Sequence, residues 1–133
     1  MNRSFPLLLL AALLSGCSTI TAPSDAVART PIAAEPTKGM RIENTALLVV
    51  DGKLVVDGRV RRIYRWYPVG NYHIDVEFRD AQQRQLALKS SRLLFQRTRF
   101  GPPPPAHFAT ALDQWPDGTA EILVRTHTGY KHQ

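Results

Sequence analysis

The sequence predicts an all-β protein, built as one antiparallel β-sandwich of six or seven strands that follows a disordered tether. Short β-prone runs separated by turn signals fill the chain from residue 42 onward, and no stretch shows the apolar period of an amphipathic helix. A length of 133 residues fits one small domain. Because Cys17 is the only cysteine, no intrachain disulfide can form, and stability must come from apolar burial and hydrogen bonding.

Two Asp-Gly pairs predict the first strands. Residues 46–50 are β-prone, and the pair Asp51-Gly52 that follows them is a strong hairpin signal. The second pair, Asp57-Gly58, admits either a further turn or a bulge inside one long strand. We favour the bulge, because only a few residues separate the two pairs.

The clearest strand lies in the middle of the chain. Apolar residues at positions 72, 74, 76 and 78 alternate with polar ones, which is the period of a half-buried strand. Residues 79–83 then form a polar turn, and residues 85–97 form one or two strands that break near Ser90. Gly101 and the four prolines after it cannot join a sheet ladder, so they form a stiff crossover or a surface ligand for an aromatic groove.

Alternation returns at positions 108, 110 and 112, and again at 122, 124 and 126, with turn residues 115–118 between the two strands. We therefore divide the chain into an N-terminal segment at residues 1–16, a linker at 17–40 and a β-sandwich domain at 41–131. The number and spacing of strands suit an immunoglobulin-like or fibronectin-like sandwich. The pattern YHIDVEFRDAQQRQL is similar to the middle hairpin of such modules in small bacterial lipoproteins.

The start of the chain is typical of an export signal. Arg3 supplies a positive charge, residues 5–14 form an apolar run too short to span a bilayer, and small residues stand directly before Cys17. The four residues LSGC at positions 14–17 resemble the lipobox of bacterial lipoproteins. This resemblance implies that residues 1–16 are removed and that Cys17 is acylated, for example with palmitate.

The segment after Cys17 predicts a flexible tether and a location in the cell envelope. Residues 17–40 are rich in Ala, Thr, Ser and Pro and show neither a helical nor an alternating period. In enteric lipoproteins an Asp after the acylated cysteine is the usual signal for retention in the inner membrane. Ser18 stands there instead, so we expect a lipid-anchored protein of the outer membrane that faces the periplasm.

Basic and aromatic residues cluster twice in a chain of formal net charge +6. Such mixtures suit single-stranded nucleic acid, but the expected envelope location argues against a nucleic-acid partner. Anionic lipid, peptidoglycan carboxylates and acidic proteins remain, and the arginine fork pairs well with each. We expect the binding residues to be Arg61, Arg62, Arg65, Trp66 and Tyr67. Arg92, Arg97, Arg99 and Phe100 form the second basic and aromatic cluster, to which we assign no binding role. The alternative is that these arginines are solvated strand-edge residues that block edge-to-edge pairing.

A metal site is a second hypothesis. His73 and Asp75 share one strand face, and such a pair can ligate one ion if a neighbouring strand supplies a third ligand, for which His127 or Glu121 is the candidate. The simpler interpretation is that this polar face meets water. We expect no resident cofactor.

Catalysis finds little support in the sequence. No Gly-x-Ser-x-Gly elbow and no Gly-rich phosphate cradle occur, and an acylated Cys17 is not available as a nucleophile. We therefore expect a non-enzymatic module that contacts another component of the cell envelope. The alternatives are a copper- or zinc-binding lipoprotein and an envelope hydrolase or transferase. The sequence predicts no particular oligomeric state.

The lipobox interpretation makes a direct prediction. In the native cell, the Cys17→Ala protein should take up no labelled palmitate and should keep residues 1–16, because both acylation and cleavage at this site need the thiol. Metabolic labelling and intact-mass measurement check both, with Ser18→Ala as the control that stays acylated. A native protein that retains Met1 and carries no fatty acid would contradict the interpretation.

Overall fold

The computed structural model describes residues 19–21, 23–63 and 71–129. These residues form two four-stranded sheets, with strand orders β1-β3-β4-β7 and β2-β8-β5-β6. The elements are β1 (Ile20–Thr21), α1 (Asp25–Ala28), β2 (Ile32–Glu35), β3 (Met40–Val50), β4 (Lys53–Arg62), β5 (Tyr72–Arg79), β6 (Gln85–Leu93), β7 (Ala106–Leu112) and β8 (Glu121–Thr128). The predicted all-β sandwich is confirmed. Within the described ranges, no helix is long and apolar enough to cross a bilayer.

The segment before the predicted domain takes part in both sheets. β1 pairs with β3, and β2 lies parallel to β8. Thr37 N donates to Thr126 Oγ1 at 2.7 Å, and Thr37 Oγ1 donates to the Thr126 carbonyl at 2.5 Å. Within the predicted linker 17–40, residues 20–21 and 32–35 therefore belong to the sheets. These two strands are hard to predict from the sequence because they are short edge strands. Among their described side chains, only Ile32 packs against the buried core.

The first hairpin forms as predicted. Asp51 and Gly52 both adopt positive φ angles, 49° and 77°, which match the backbone twist of a two-residue hairpin loop. β4 runs unbroken through Asp57 and Gly58, so the prediction of one long strand is confirmed. The bulge itself lies in the partner strand β3, where the register shifts between Glu43 and Ala46.

Gly58 lies under the ring of Phe108, its partner across β4 and β7. A Cβ atom at position 58 would lie 2.6 Å from Phe108 Cζ. The missing side chain therefore lets the phenylalanine ring cross the neighbouring strand and enter the core. The bulge in β3 lies opposite this same position, which adds local twist where the ring crosses.

β5 is the central strand of its sheet and pairs with β6 on one side and β8 on the other. β6 is one continuous strand, so the predicted break near Ser90 is wrong. Ser90 faces Asp75 across the ladder, and its hydroxyl donates to the carboxylate at 2.5 Å, so this polar residue belongs to a strand rather than a turn. The inward side chains of both sheets form one core, with members Met40, Val56, Val60, Tyr72, Ile74, Val76, Phe78, Leu93, Ala106, Phe108, Leu112, Ile122 and Val124.

Edge-to-face aromatic pairs involve both terminal core residues of β5. Phe78 packs against Trp115 with ring centroids 5.9 Å apart, and Tyr72 packs against Phe95 at 5.7 Å. Phe78 lies six residue steps along β5 from Tyr72, which corresponds to about 20 Å. Both sheets and all of these core residues lie between Ile20 and Thr128, so this segment contains the whole fold that the structure describes.

A buried carboxylate fixes the turn between β5 and β6. Asp80 Oδ1 accepts the backbone N–H groups of Gln82 and Arg84, each at 2.9 Å, and its Oδ2 accepts the Arg84 guanidinium at 2.7 Å. The backbone hydrogen bond from Arg84, helped by the guanidinium, holds the pKa of Asp80 below its ordinary value. The polar turn predicted at residues 79–83 thus forms around one aspartate.

Gly58→Ala should destabilise the domain by about 1–3 kcal/mol, because the added methyl group overlaps the Phe108 ring. Urea unfolding measures the free energy of unfolding. Phe108→Leu frees space at the same point, so adding it to Gly58→Ala should cost less than the two single changes predict together. Strictly additive costs would contradict this close approach.

Candidate functional site

A pocket of about 100 Å³ opens at the end of the sandwich where β4 ends and β5 begins. Among the described residues its lining is basic and apolar, without an acidic side chain, and consists of Arg62, Tyr72, Arg92, Leu93, Leu94, Phe95 and Arg97. We call this the arginine pocket. A pocket with three guanidinium groups in its wall is suited to an anion.

Arg62 belongs to the inward row of β4. Val60 is fully buried, and strand alternation directs Arg62, two residues on, to the same face. Its guanidinium carbon lies 4.9 Å from the centroid of the Phe95 ring, a cation–π contact. Arg62 Nε is buried and finds no hydrogen-bond partner among the residues that the structure describes. The ring thus lies directly against the positive charge of Arg62.

The other two arginines come from the opposite sheet and the segment after it. Arg92 lies on β6, and its Nη2 donates to Asn71 Oδ1 at 3.1 Å. Arg97 is exposed in the segment that follows β6. In the described part of the chain, no carboxylate forms an ion pair with Arg62, Arg92 or Arg97. The positive charge of the pocket is therefore not neutralised by these residues.

Arg61 and Arg62, two of the five predicted binding residues, lie on opposite faces of β4. Alternation places Arg61 on the outer face of β4, where its Nε lies 3.2 Å from Glu43 Oε1, while Arg62 lines the pocket. Arg65, Trp66 and Tyr67, like Cys17, lie outside the described residues. The pocket instead recruits Arg92 and Arg97 from the second basic group. The sequence shows that this group exists but not that it lies near Arg62, because that proximity depends on the packing of the two sheets.

The predicted metal residues do meet, on the outer face of the second sheet. His73 and His127 are partners across β5 and β8, and His127 Nε2 lies 2.8 Å from Asp75 Oδ2. However, the two imidazole rings stack with centroids 5.4 Å apart and planes 19° apart. Rings stacked face to face direct their nitrogen lone pairs along separate planes rather than at one point. Within the described ranges, no group of three His, Cys, Asp or Glu side chains can hold a metal ion, so the metal hypothesis gains no support.

This outer cluster has a structural explanation. The Asp75 side chain belongs to a residue that is only 6% exposed, and a buried carboxylate is costly unless it is hydrogen-bonded. Ser90 from β6 donates a hydrogen bond to it, and His127 from β8 places Nε2 within ion-pair distance of its other oxygen. The cluster therefore cross-links three adjacent strands of the sheet.

Comparisons with protein-family models, with curated proteins and with solved structures find no match for this chain. A function cannot be carried over from a relative. It has to be argued from the charge and geometry of the arginine pocket.

Asp75→Ala should lower the free energy of unfolding by about 1–3 kcal/mol, because Ser90 and His127 each lose a buried partner. Chemical denaturation checks the value. Ser90→Ala removes only one donor to the same carboxylate and should cost less, about 1 kcal/mol. Equal stability of Asp75→Ala and the parent protein would contradict a structural role for the cluster.

Proposed function

We propose that this protein is a non-enzymatic, lipid-anchored module of the bacterial cell envelope that binds an anionic envelope component in the arginine pocket. The observation that supports the proposal most directly is the lining itself, in which the described residues include three arginines and no carboxylate. Like charges around one pocket repel each other. A bound anion relieves this repulsion.

The size and chemistry of the pocket define what enters it. A volume of about 100 Å³ admits one compact charged group rather than a whole lipid or sugar chain. The planar guanidinium fork donates hydrogen bonds to two oxygens of a carboxylate or phosphate at once. Tyr72 and Phe95 offer apolar surface beside the charge. The ligand is therefore a phosphate or carboxylate carried on a larger molecule.

The proposed location in the cell envelope rests on the lipobox resemblance at residues 14–17. Envelope components that carry such anions are phospholipid and lipopolysaccharide phosphates, peptidoglycan carboxylates and acidic protein surfaces. A protein held at a membrane meets all of them at high local concentration, so a weak site of this size is useful there.

Two neighbouring arginines allow a matched test. In the chain from Ser18 onward, inorganic phosphate and acetate should shift the amide resonances of residues around Arg62 and Phe95, with weak affinity in the millimolar range. Arg62→Gln should weaken this binding about tenfold, since it removes a charge-assisted donor worth roughly 1.4 kcal/mol. Arg61→Gln changes the net charge equally on the other face of the strand and should weaken it less than twofold.

The two variants separate a pocket from a merely basic surface. Equal weakening by Arg61→Gln and Arg62→Gln, or no shift at the pocket residues with either probe, would contradict the proposal. Unchanged unfolding midpoints of both variants exclude loss of the fold as the cause.

A further inference from the structure

The edge formed by β6 and residues 94–100 combines positive charge with exposed apolar side chains. Between residues 81 and 112 the sequence contains no Asp or Glu, but it contains Arg84, Lys89, Arg92, Arg97 and Arg99. Four of the exposed large hydrophobic residues lie in the same stretch: Leu86, Leu88, Leu94 and Phe100, the last two 71% and 85% exposed. We call residues 85–100 the basic edge. Arginine and exposed aromatic residues together are characteristic of protein interfaces.

β6 is open to a further strand. It is the last strand of its sheet and pairs only with β5 in the described part of the chain. It is also nine residues long, which exceeds the length at which edge strands are usually safe from unwanted pairing. A neighbouring extended segment can therefore continue the backbone ladder along its free side.

The charge of Lys89 determines which kind of strand can pair with β6. Lys89 is the partner of buried Val76 and so belongs to the inward row of β6, although its side chain is exposed at the open side of the sandwich. A charge on the inward row of an edge strand opposes pairing with an apolar strand or with a second copy of β6. A strand with Glu or Asp at alternate positions neutralises it instead.

The direction of the anchor excludes the anchoring bilayer as the occupant, a step that rests on the proposed function. Ile20 pairs with Val50 and lies three residues after Cys17, so the acyl chains are within about 10 Å of that end of the sheet. β4 leads from there to Arg62 over about 30 Å. β1 and β6 also lie on opposite sides of the sandwich, since β6 packs near β7, at the other edge of the first sheet from β1.

We propose that the basic edge is a docking site for an acidic, extended segment of another envelope protein, which adds as a strand to β6. Carboxylates of that segment face Lys89, and its end reaches the arginine pocket, which Arg92 shares with the basic edge. Leu94 and Phe100 supply apolar contact beside it. Phe100 is followed by Gly101 and then by four prolines, which stiffen the backbone beyond it.

An alternating Glu-Val octapeptide is the probe, with a Lys-Val octapeptide of equal length as its control, both added to the chain from Ser18 onward. The acidic peptide should bind at low salt and should slow hydrogen exchange of alternate β6 amides at least tenfold. That readout responds to strand addition and not to diffuse charge attraction. The basic peptide should do neither.

Matched variants locate the contact. Lys89→Glu with Arg97→Glu should weaken binding of the acidic peptide at least tenfold. Arg41→Glu with Arg59→Glu changes the net charge equally at two exposed residues of the first sheet and should have less than a threefold effect. All four side chains are exposed, and unfolding midpoints verify that the fold is kept.

Three outcomes overturn the inference: no binding of the acidic peptide, equal weakening by both variant pairs, or unchanged hydrogen exchange in β6 on binding. Phosphate binding that depends on Arg62 survives each of them if the proposed function is correct. Loss of the peptide effect alone therefore rejects only the docking strand. Loss of the Arg62-dependent phosphate effect rejects the proposed function separately.

Discussion

The apolar rows of β4 and β5 pack into one core, and this contact fixes which side of its sheet every other residue faces. Side chains alternate along a strand, so once Val60 is buried, Arg62 must point inward and Arg61 outward. On β5 the same rule directs Asp75 to the outer face while Ile74 and Val76 are buried. The positions of the pocket and of the outer cluster are both consequences of this packing.

A guanidinium at the end of the core needs compensation. With no disulfide available, the domain depends on apolar burial, and a charge beside the core costs stability unless something replaces water around it. The Phe95 ring does so for Arg62 from one side. The same ring makes an edge-to-face contact with Tyr72 of β5, so Arg62 packs against an aromatic pair that belongs to the core.

Local signals were enough to predict the central strand, the Asp51-Gly52 hairpin and the sandwich class, because alternation and turn chemistry are written in neighbouring residues. The parallel pairing of β2 with β8 was not predictable, since it joins residues about 90 positions apart through a segment with no apolar period. Arg61 and Arg62 were grouped as one site although the period of two in β4 separates them. His127 was correctly placed near Asp75, but only the structure shows that the imidazoles stack.

Lys89 links the stability of the fold to its selectivity. A nine-residue edge strand with exposed leucines invites aggregation, and one charge on its inward row opposes this by making any apolar partner strand bury an unpaired ammonium. The same charge favours one class of partner only, since a carboxylate at the facing position forms an ion pair with Lys89 and removes the cost of burying it unpaired. The sequence on either side contains no acidic residue that could neutralise Lys89 locally. In the proposed docking, a single side chain thus both opposes self-association and favours an acidic segment.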